Sequence, residues 1–227
     1  VPYTLLIMLS SYSVCRAMVM PASFLVVLFY AIYLVVRNGV ISYQKASGLA
    51  MFSGIVIFCF YSFIRLKEML PVEEYGYDAI FFILLILCFA WGGDTCAYFA
   101  GRAFGKHKLC PVVSPKKTVE GAVGGVLGTM VFGVLITVIY SIAADRMEEF
   151  TRSNIGVSMY VIIALLACVA AVLGIYGDLF ASVVKRQCGI KDYGTIFPGH
   201  GGILDRFDSV MFIAPFVTMV VIAAFYN

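Results

Sequence analysis

Apolar runs dominate the sequence, and several approach the roughly 20 residues that an α-helix needs to cross a bilayer. Only 13% of the 227 residues are charged and 62% are hydrophobic, a balance that ordinary soluble domains do not show. We therefore predict an all-α fold, a polytopic transmembrane helical bundle of about six to seven spans. The predicted spans cover residues 3–14, 17–36, 49–64, 77–104, 119–143, 157–184 and 207–226.

The N-terminal part of the chain, residues 1–76, is predicted to form a separate group of helices from the rest. The run 3–14 is short and the sequence begins with Val, so we expect that part of the N-terminal region is missing. We assign residues 1–76 to N-terminal transmembrane helices and residues 77–227 to catalytic transmembrane helices, within one integral membrane unit.

The seven cysteines are scattered without a Cys-x-x-Cys pair, which argues against a disulfide framework or a zinc site. A net charge of +3 is too small to indicate a nucleic-acid partner.

Lysine and arginine residues alternate between the two sides of the predicted bundle. Loops with an excess of Lys and Arg face the cytoplasm in most membrane proteins. We therefore expect an inner or plasma membrane protein whose active site faces the cytoplasm. The basic residues assigned to that side are Arg37, Lys45, Arg102, Lys106, Lys108, Lys116, Lys117, Lys185, Arg186, Lys191 and Arg206.

Six acidic side chains lie within or beside the apolar spans, near their predicted cytoplasmic ends. A carboxylate at such a depth is costly and usually needs a cation or a task. For Asp94 and Asp178 we favour a functional role over a structural pairing with Arg or Lys. The six residues are Asp94, Glu120, Asp178, Asp192, Asp205 and Asp208.

The stretch 177–209 concentrates charge between two apolar helices. Asp178, Ser182 and Lys185 follow one another at i, i+4 and i+7, so a helix places them on one face. Asp205 and Asp208 form an i, i+3 pair, which we predict at the start of the next helix. Two carboxylate-bearing helix ends joined by a Gly-rich basic loop suit a divalent cation that holds a phosphate.

The segment that begins at Ser114 predicts a phosphate contact. Ser114 followed by Pro115 is typical of a helix start, where Lys116, Lys117 and free N–H groups would attract a phosphate. The alternative is a juxtamembrane basic cluster that meets anionic lipid.

Asp94, Tyr98 and Arg102 share one helix face at i, i+4 and i+8. This pattern indicates either a polar stripe that lines a headgroup cavity or an intrahelical ion pair through Tyr98.

The Gly-rich loop 197–203 can turn N–H groups toward an anion, and we expect His200 there as a phosphate or loop-ordering contact and not as a base. Two overlapping Gly-x-x-x-Gly spacings, Gly121 with Gly125 and Gly124 with Gly128, predict close helix packing.

The central stretch closely resembles the signature of the phosphatidate cytidylyltransferase (CDP-diacylglycerol synthase) family. Asp94-Thr-x-Ala-Tyr98 with Gly101-Arg102, and Ser114-Pro-Lys-Lys-Thr-x-Glu-Gly121, match the family's upstream motifs in order. The likeness covers residues 91–227, whereas residues 1–76 match only in hydropathy, and Ala181 stands where some members carry Glu. The matching positions of the signature are Ser182, Lys185, Arg186, Lys191, Asp192, Gly194, Pro198, Gly199, His200, Gly201, Gly202, Asp205, Arg206 and Asp208.

The resemblance implies transfer of a cytidylyl group from CTP to phosphatidate, giving CDP-diacylglycerol and pyrophosphate with Mg²⁺. It also implies a homodimer and a second, monovalent cation such as K⁺. We assign catalytic roles to Asp178, Lys185, Arg186, Asp205 and Asp208. The predicted metal ligands are Asp178, Asp205, Asp208 and Asp94. The predicted substrate-binding residues are Lys116, Lys117, Ser182, Lys191, His200, Gly201, Gly202, Arg206, Tyr98 and Arg102.

Two other functions fit parts of the pattern. A CTP-dependent polyprenol or phytol kinase shares the membrane setting and the nucleotide but would release CDP. A cation transporter would explain acidic residues within spans, although such residues usually lie near the bilayer midplane, and here they cluster at one end of the spans.

Overall fold

The computed structural model describes residues 13–36, 43–146, 156–195 and 201–225. In these ranges the chain forms seven α-helices, one 3₁₀ turn and one two-stranded hairpin. The elements are α1 (Ser13–Val36), α2 (Tyr43–Met69), α3 (Val72–Tyr75), α4 (Asp78–Phe104), β1 (Lys108–Cys110), β2 (Ser114–Thr118), α5 (Val119–Arg146), α6 (Val157–Gln187), the 3₁₀ turn (Leu204–Arg206) and α7 (Val210–Phe225).

Four helices are long and apolar enough to span a membrane, which confirms the all-α membrane bundle. They are Ala46–Met69, Asp78–Phe104, Val119–Arg146 and Val157–Gln187. The third predicted span was too short, because its helix continues past residue 64 through Arg65, which pairs with Glu68 one turn later at 3.1 Å. Of the predicted span 3–14, residues 3–12 lie outside the described residues, and residues 13 and 14 belong to α1.

Helix α7 lies at the centre of the packing. Its buried face, including Met211, Ile213 and Val217, packs against α2 and α6. Cys59 of α2 directs its thiol to the carbonyl of Val210, 3.5 Å away, which ties the two helices together near the start of α7. Since α2 precedes residue 76 and α7 follows it, the two predicted parts of the chain share one core; the division itself stays a prediction.

Helices α4 and α5 pack closely against each other. A Cβ on Gly121 would lie 2.8 Å from the carbonyl oxygen of Ala97, and a Cβ on Gly125 would lie 3.2 Å from that of Gly93. The Gly-x-x-x-Gly spacing therefore does allow close helix packing, as predicted.

The connection between α4 and α5 is a β-hairpin, so the predicted helix start at Ser114 is wrong. Strands β1 and β2 are antiparallel, with Lys108 opposite Thr118 and Cys110 opposite Ser114. The helix cap lies four residues later than predicted: Thr118 Oγ1 accepts the N–H of Gly121 at 3.1 Å, and α5 begins at residue 119. Pro115 fits the hairpin because an edge strand tolerates a residue without an N–H donor.

Asp205 and Asp208 precede α7 and do not form its first turn, which corrects a second prediction. Asp205 lies in the 3₁₀ turn and Asp208 in the turn that follows it, while α7 begins at Val210. Asp208 Oδ1 accepts the N–H of Ser209 at 2.9 Å, a local bond that competes with helical hydrogen bonding.

Candidate active site

The site begins with three residues on one face of α6. Ser182 Oγ lies 3.4 Å from Asp178 Oδ1, and Lys185 follows one turn later, as the spacing predicted. Gly177, immediately before Asp178, lets this face approach the backbone at Asp208 closely, since a Cβ there would lie 2.7 Å from the Asp208 carbonyl oxygen. The α6 face and the segment before α7 are therefore in direct contact.

Lys185 is the centre of a buried charge cluster. Its side chain is only 11% exposed, and Nζ lies 2.9 Å from Asp205 Oδ1 and 3.9 Å from Asp208 Oδ2. Its Nζ also lies 5.3 Å from the centre of the Tyr193 ring, a distance at which an ammonium group is attracted to an aromatic face. Lys185 thus connects α6 to both carboxylates of the following loop.

Asp205 organises that loop. Its Oδ2 accepts the backbone N–H groups of Tyr193 at 2.8 Å and Gly202 at 2.9 Å, while Oδ1 accepts Lys185. Gly201 adopts a φ of +83°, and a side chain there would meet the Asp205 carboxylate. Burial alone would raise the pKa of Asp205, but the hydrogen bonds from Lys185 and the two N–H groups outweigh it and hold the pKa below its usual value. Asp205 therefore stays ionised.

Asp208 has the opposite electrostatic environment. Burial, followed by the negative charge of Asp178, raises the pKa of Asp208 to about 7. The charge of Lys185 lowers this pKa and that of Asp94 raises it, so the carboxylates before α7 and on α4 and α6 are close enough to repel one another. A cation bound among them would relieve that repulsion.

Asp94 of α4 joins the cluster through Ser209. Ser209 Oγ donates a hydrogen bond to Asp94 Oδ2 at 2.8 Å, which links residues 115 positions apart. Tyr98 and Arg102, predicted to share a stripe with Asp94, are exposed and contact each other, with Arg102 Nη1 3.5 Å from the Tyr98 hydroxyl. A cavity between the helices extends from Asp94 and Ser209 along Gly93, Gly125, Gly174 and Ile213.

The hairpin supplies a second lysine. Lys117 of β2 forms an ion pair between its Nζ and Asp178 Oδ2, while Lys116 is exposed. Three separate connections therefore bring charged groups to one end of the bundle: the hairpin at Lys117, the end of α6 at Asp178 and Lys185, and the segment before α7 at Asp208.

The base of the hairpin is fixed by Glu120. Its carboxylate accepts the N–H groups of Lys106 at 3.0 Å and His107 at 3.2 Å, and its Oε1 lies 2.6 Å from His107 Nδ1. His107 also accepts the N–H of Val119 at its carbonyl, 2.9 Å away. These bonds hold the two residues before β1 against the start of α5, which begins two residues after Lys117.

A model of the cytidylyltransferase family matches residues 1–224 of the chain. The chain belongs to the cytidylyltransferase family. The resemblance that was found in the sequence motifs is therefore confirmed.

Several bacterial relatives carry the name phosphatidate cytidylyltransferase. The chain is 32% identical to that of Bacillus subtilis (strain 168) over 191 residues, 84% of this chain and 64% of the relative. It is 41% identical to that of Staphylococcus saprophyticus and 39% identical to that of Staphylococcus aureus (strain COL), in each case over 145 residues, 64% of this chain and half of the relative. The matched part thus spans between half and two thirds of the length of these cytidylyltransferases.

The carboxylates of this family member suit a hydrated Mg²⁺ better than a fully protein-bound metal. No three His, Cys, Asp or Glu side chains of the described residues are close enough to form a direct metal cage. Mg²⁺ commonly keeps several waters and binds through one or two carboxylates together with substrate phosphates. Asp94, Asp178 and Asp208 affect one another electrostatically, so one or two of them fit such an ion. Asp205 accepts three hydrogen bonds, from Lys185 and two backbone N–H groups, and its role as a ligand stays a prediction.

The other predicted binding residues are distributed around this cluster. Gly202 gives its N–H to Asp205, so that donor serves the loop. Arg206 is exposed, and its carbonyl accepts the indole N–H of Trp91 at 3.0 Å. Arg186 and Lys191 are exposed, and His200 lies outside the described residues. The roles assigned to all of them stay predictions.

Sequence reasoning gave no role to three residues that contribute to the site. Ser209 holds Asp94, Tyr193 lies beside Lys185, and Glu120 anchors the hairpin. Glu120 is one of the six carboxylates beside the spans, and its position in the Ser-Pro-Lys-Lys-Thr-x-Glu-Gly motif could have predicted a role in the site. Ser209 and Tyr193 are recognisable only from contacts between distant parts of the chain.

Proposed function

We propose that this protein transfers the cytidylyl group of CTP to phosphatidate and releases pyrophosphate, giving CDP-diacylglycerol. The names of its relatives support this proposal. The observation that carries it is the pairing of Lys117 with Asp178 and of Lys185 with Asp205 and Asp208 at one end of the helices. Such a site offers both ammonium groups for phosphates and carboxylates for a cation.

The reaction needs charge neutralisation more than proton transfer. A phosphate oxygen of phosphatidate attacks the α-phosphorus of CTP, the bond from that phosphorus to the oxygen bridging to the β-phosphorus breaks, and pyrophosphate leaves with the bond's electron pair. The attacking phosphate is a monoester whose second pKa is near 6, so it is anionic at neutral pH and no general base is required. Two anions must nevertheless meet, and positioned cations lower the barrier to that encounter.

Lys185 and Lys117 supply positive charge from two directions. Each ammonium carries three N–H groups, so a lysine in contact with a carboxylate can also donate to a phosphate oxygen. We assign Arg186, Lys191, Arg206 and Lys116 to the outer phosphates and the lipid headgroup, because they are exposed around the cluster. Asp205 acts by holding Lys185 and the loop in place.

Mg²⁺ is the proposed cofactor, held through one or two of the carboxylates of Asp94, Asp178 and Asp208 together with water and substrate phosphates. When bound, it would neutralise phosphate oxygens and polarise the α-phosphoryl group. The proposed K⁺ site and homodimer rest on the family resemblance alone.

The active site is proposed to face the cytoplasm, where CTP is available. The excess of Lys and Arg at this end of the bundle supports that orientation. Cysteine introduced at exposed Ile203, after replacement of exposed Cys188 by Ser, should react with an impermeant thiol reagent only from the cytoplasmic side. Labelling from outside intact cells would contradict the orientation.

The deciding experiment follows isotopic label from CTP into products. Purified protein with phosphatidate and Mg²⁺ should place α-phosphate label in the lipid and γ-phosphate label in pyrophosphate. A CTP-dependent lipid kinase would place γ-label in the lipid and release α-label as CDP, and that outcome would overturn the proposal. Lys185→Ala should slow α-label transfer by about 100-fold or more, because a buried phosphate contact is lost.

A further inference from the structure

The hairpin between α4 and α5, residues 106–118, combines an apolar tip with basic arms. Val112 at the tip is 93% exposed, and Pro111 beside it is also exposed. The side chains of Lys106, Lys108 and Lys116 are exposed on the arms, and the hairpin contains no acidic residue. An apolar end surrounded by ammonium groups is the pattern of a segment that contacts an anionic lipid surface.

The hairpin starts and ends at the level where two membrane spans end. Phe104, the last residue of α4, is 71% exposed, and Val119, the first of α5, is also exposed, so lipid-facing apolar surface continues to both ends. The bonds of Glu120 to Lys106 and His107 hold this base firmly. The two strands are only three and five residues long, which at about 3.3 Å per residue keeps the tip close to the headgroup layer.

We propose that the tip of this hairpin docks on the anionic phospholipid surface of the membrane, with Pro111 and Val112 among the headgroups. Lys106 and Lys108 would then contact lipid phosphates beside the active site. This surface differs from the substrate pocket, because Lys106 and Lys108 precede β2, whereas Lys117 is the hairpin residue that reaches Asp178.

Charge favours lipid over a second copy of this chain as the occupant. A twofold contact between two hairpins would bring identical lysine-rich arms together, and like charges repel. An anionic leaflet instead attracts each lysine near it. Both ends of the hairpin also join helices that span the membrane, so the membrane surface lies next to the hairpin at both ends.

The test places a fluorescent probe at the tip. Val112→Trp in the purified protein, reconstituted in vesicles containing about a third anionic phosphatidylglycerol, adds an indole to the background of Trp91. Its added emission should shift to the blue and be quenched by lipids brominated near the headgroup end of their acyl chains. Ile190→Trp, at an exposed position in the connection after α6, is the matched control and should stay accessible to aqueous iodide.

The charge requirement is tested in the same background. Neutral phosphatidylcholine vesicles, or the added changes Lys106→Gln and Lys108→Gln, should reduce the quenching at position 112 to that of the control. Iodide quenching at position 112 equal to that at position 190 would place the tip in water and overturn the proposal. Protection from iodide without quenching by brominated lipid, with cross-linking through Val112→Cys, would assign the tip to a second copy and overturn it equally. These readouts do not depend on cytidylyl transfer, so they can fail while the proposed function stands.

Discussion

Gly177→Ala should separate helix packing from catalysis at this site. Gly177 precedes Asp178 on α6, where a Cβ would lie 2.7 Å from the Asp208 carbonyl oxygen, 3.1 Å from a ring carbon of Phe212 and 3.4 Å from Ser209 Cα. Alanine is otherwise the better helix former, by about 1 kcal/mol. Any loss therefore comes from the contact between α6 and the segment before α7, and not from helix propensity.

The required displacement sets the size of the effect. The closest ordinary contacts begin near 3.4 Å, so the alanine methyl would need α6 and the Asp208 backbone to separate by roughly 0.7 Å. That movement would carry Asp178 and Lys185 away from Asp208, across the cluster that we propose binds the cation. Since misplacing a reacting group by about 1 Å can cost ~100-fold, we expect a loss in kcat of roughly 10- to 100-fold.

The assay is release of pyrophosphate by the purified variant, with thermal unfolding measured on the same sample. Gly54→Ala is the matched control, because Gly54 lies inside α2 and a Cβ added there would have no atom within 4 Å. It should keep parental activity. If Gly177→Ala remained folded with activity within about twofold of the parent, the close approach would not position the site, and the reasoning would be refuted.

Three further perturbations probe the cluster. Asp178→Asn should lower activity by more than about tenfold, roughly 1.4 kcal/mol of barrier, and raise the Mg²⁺ concentration needed for half-maximal rate; an unchanged Mg²⁺ titration would contradict its role as ligand. Above pH 7 and in EDTA, Asp208→Asn should raise the melting temperature, because the raised pKa of Asp208 means that its ionised carboxylate destabilises the fold there. The gain in melting temperature should disappear as pH falls toward 4, where the carboxyl is protonated. A gain that instead grows at low pH would contradict the predicted pH dependence. Glu120→Ala should lower activity because the hairpin that carries Lys117 is displaced. If Glu120 acts through Lys117, the double variant with Lys117→Ala should lose little more activity than Lys117→Ala alone; additive losses would show that Glu120 acts elsewhere.

The sequence predicted the features that follow from local periodicity and from bilayer thickness. Most of the long helices lie close to the apolar runs because a span has to match the hydrocarbon layer in length. The exception is α2, which extends beyond the predicted 49–64 at both ends. Asp178 and Ser182 lie one turn apart on α6, as their spacing required. The family motifs include Lys117, Lys185 and Asp208, which the structure brings to one end of the bundle.

The features that were missed depend on contacts across long stretches of sequence. The hairpin was mistaken for a helix start because Ser-Pro satisfies the local cap pattern, while the actual cap, Thr118, is fixed by the β1–β2 pairing. Likewise, the bond from Ser209 to Asp94 spans 115 positions. No local pattern could have predicted that Asp205 would use both of its oxygens within its own loop and for Lys185.

The charge balance of the cluster explains why its carboxylates differ. The cluster contains four carboxylates, those of Asp94, Asp178, Asp205 and Asp208, and two ammonium groups, those of Lys117 and Lys185, which leaves two negative charges when all six are ionised. Asp205 is ionised because Lys185 and two N–H groups stabilise its charge, so the excess falls on the other three. The raised pKa of Asp208 is the consequence, since a proton there relieves part of the repulsion. One divalent cation would balance the same two charges without a proton, which is the physical reason to expect Mg²⁺ among these carboxylates.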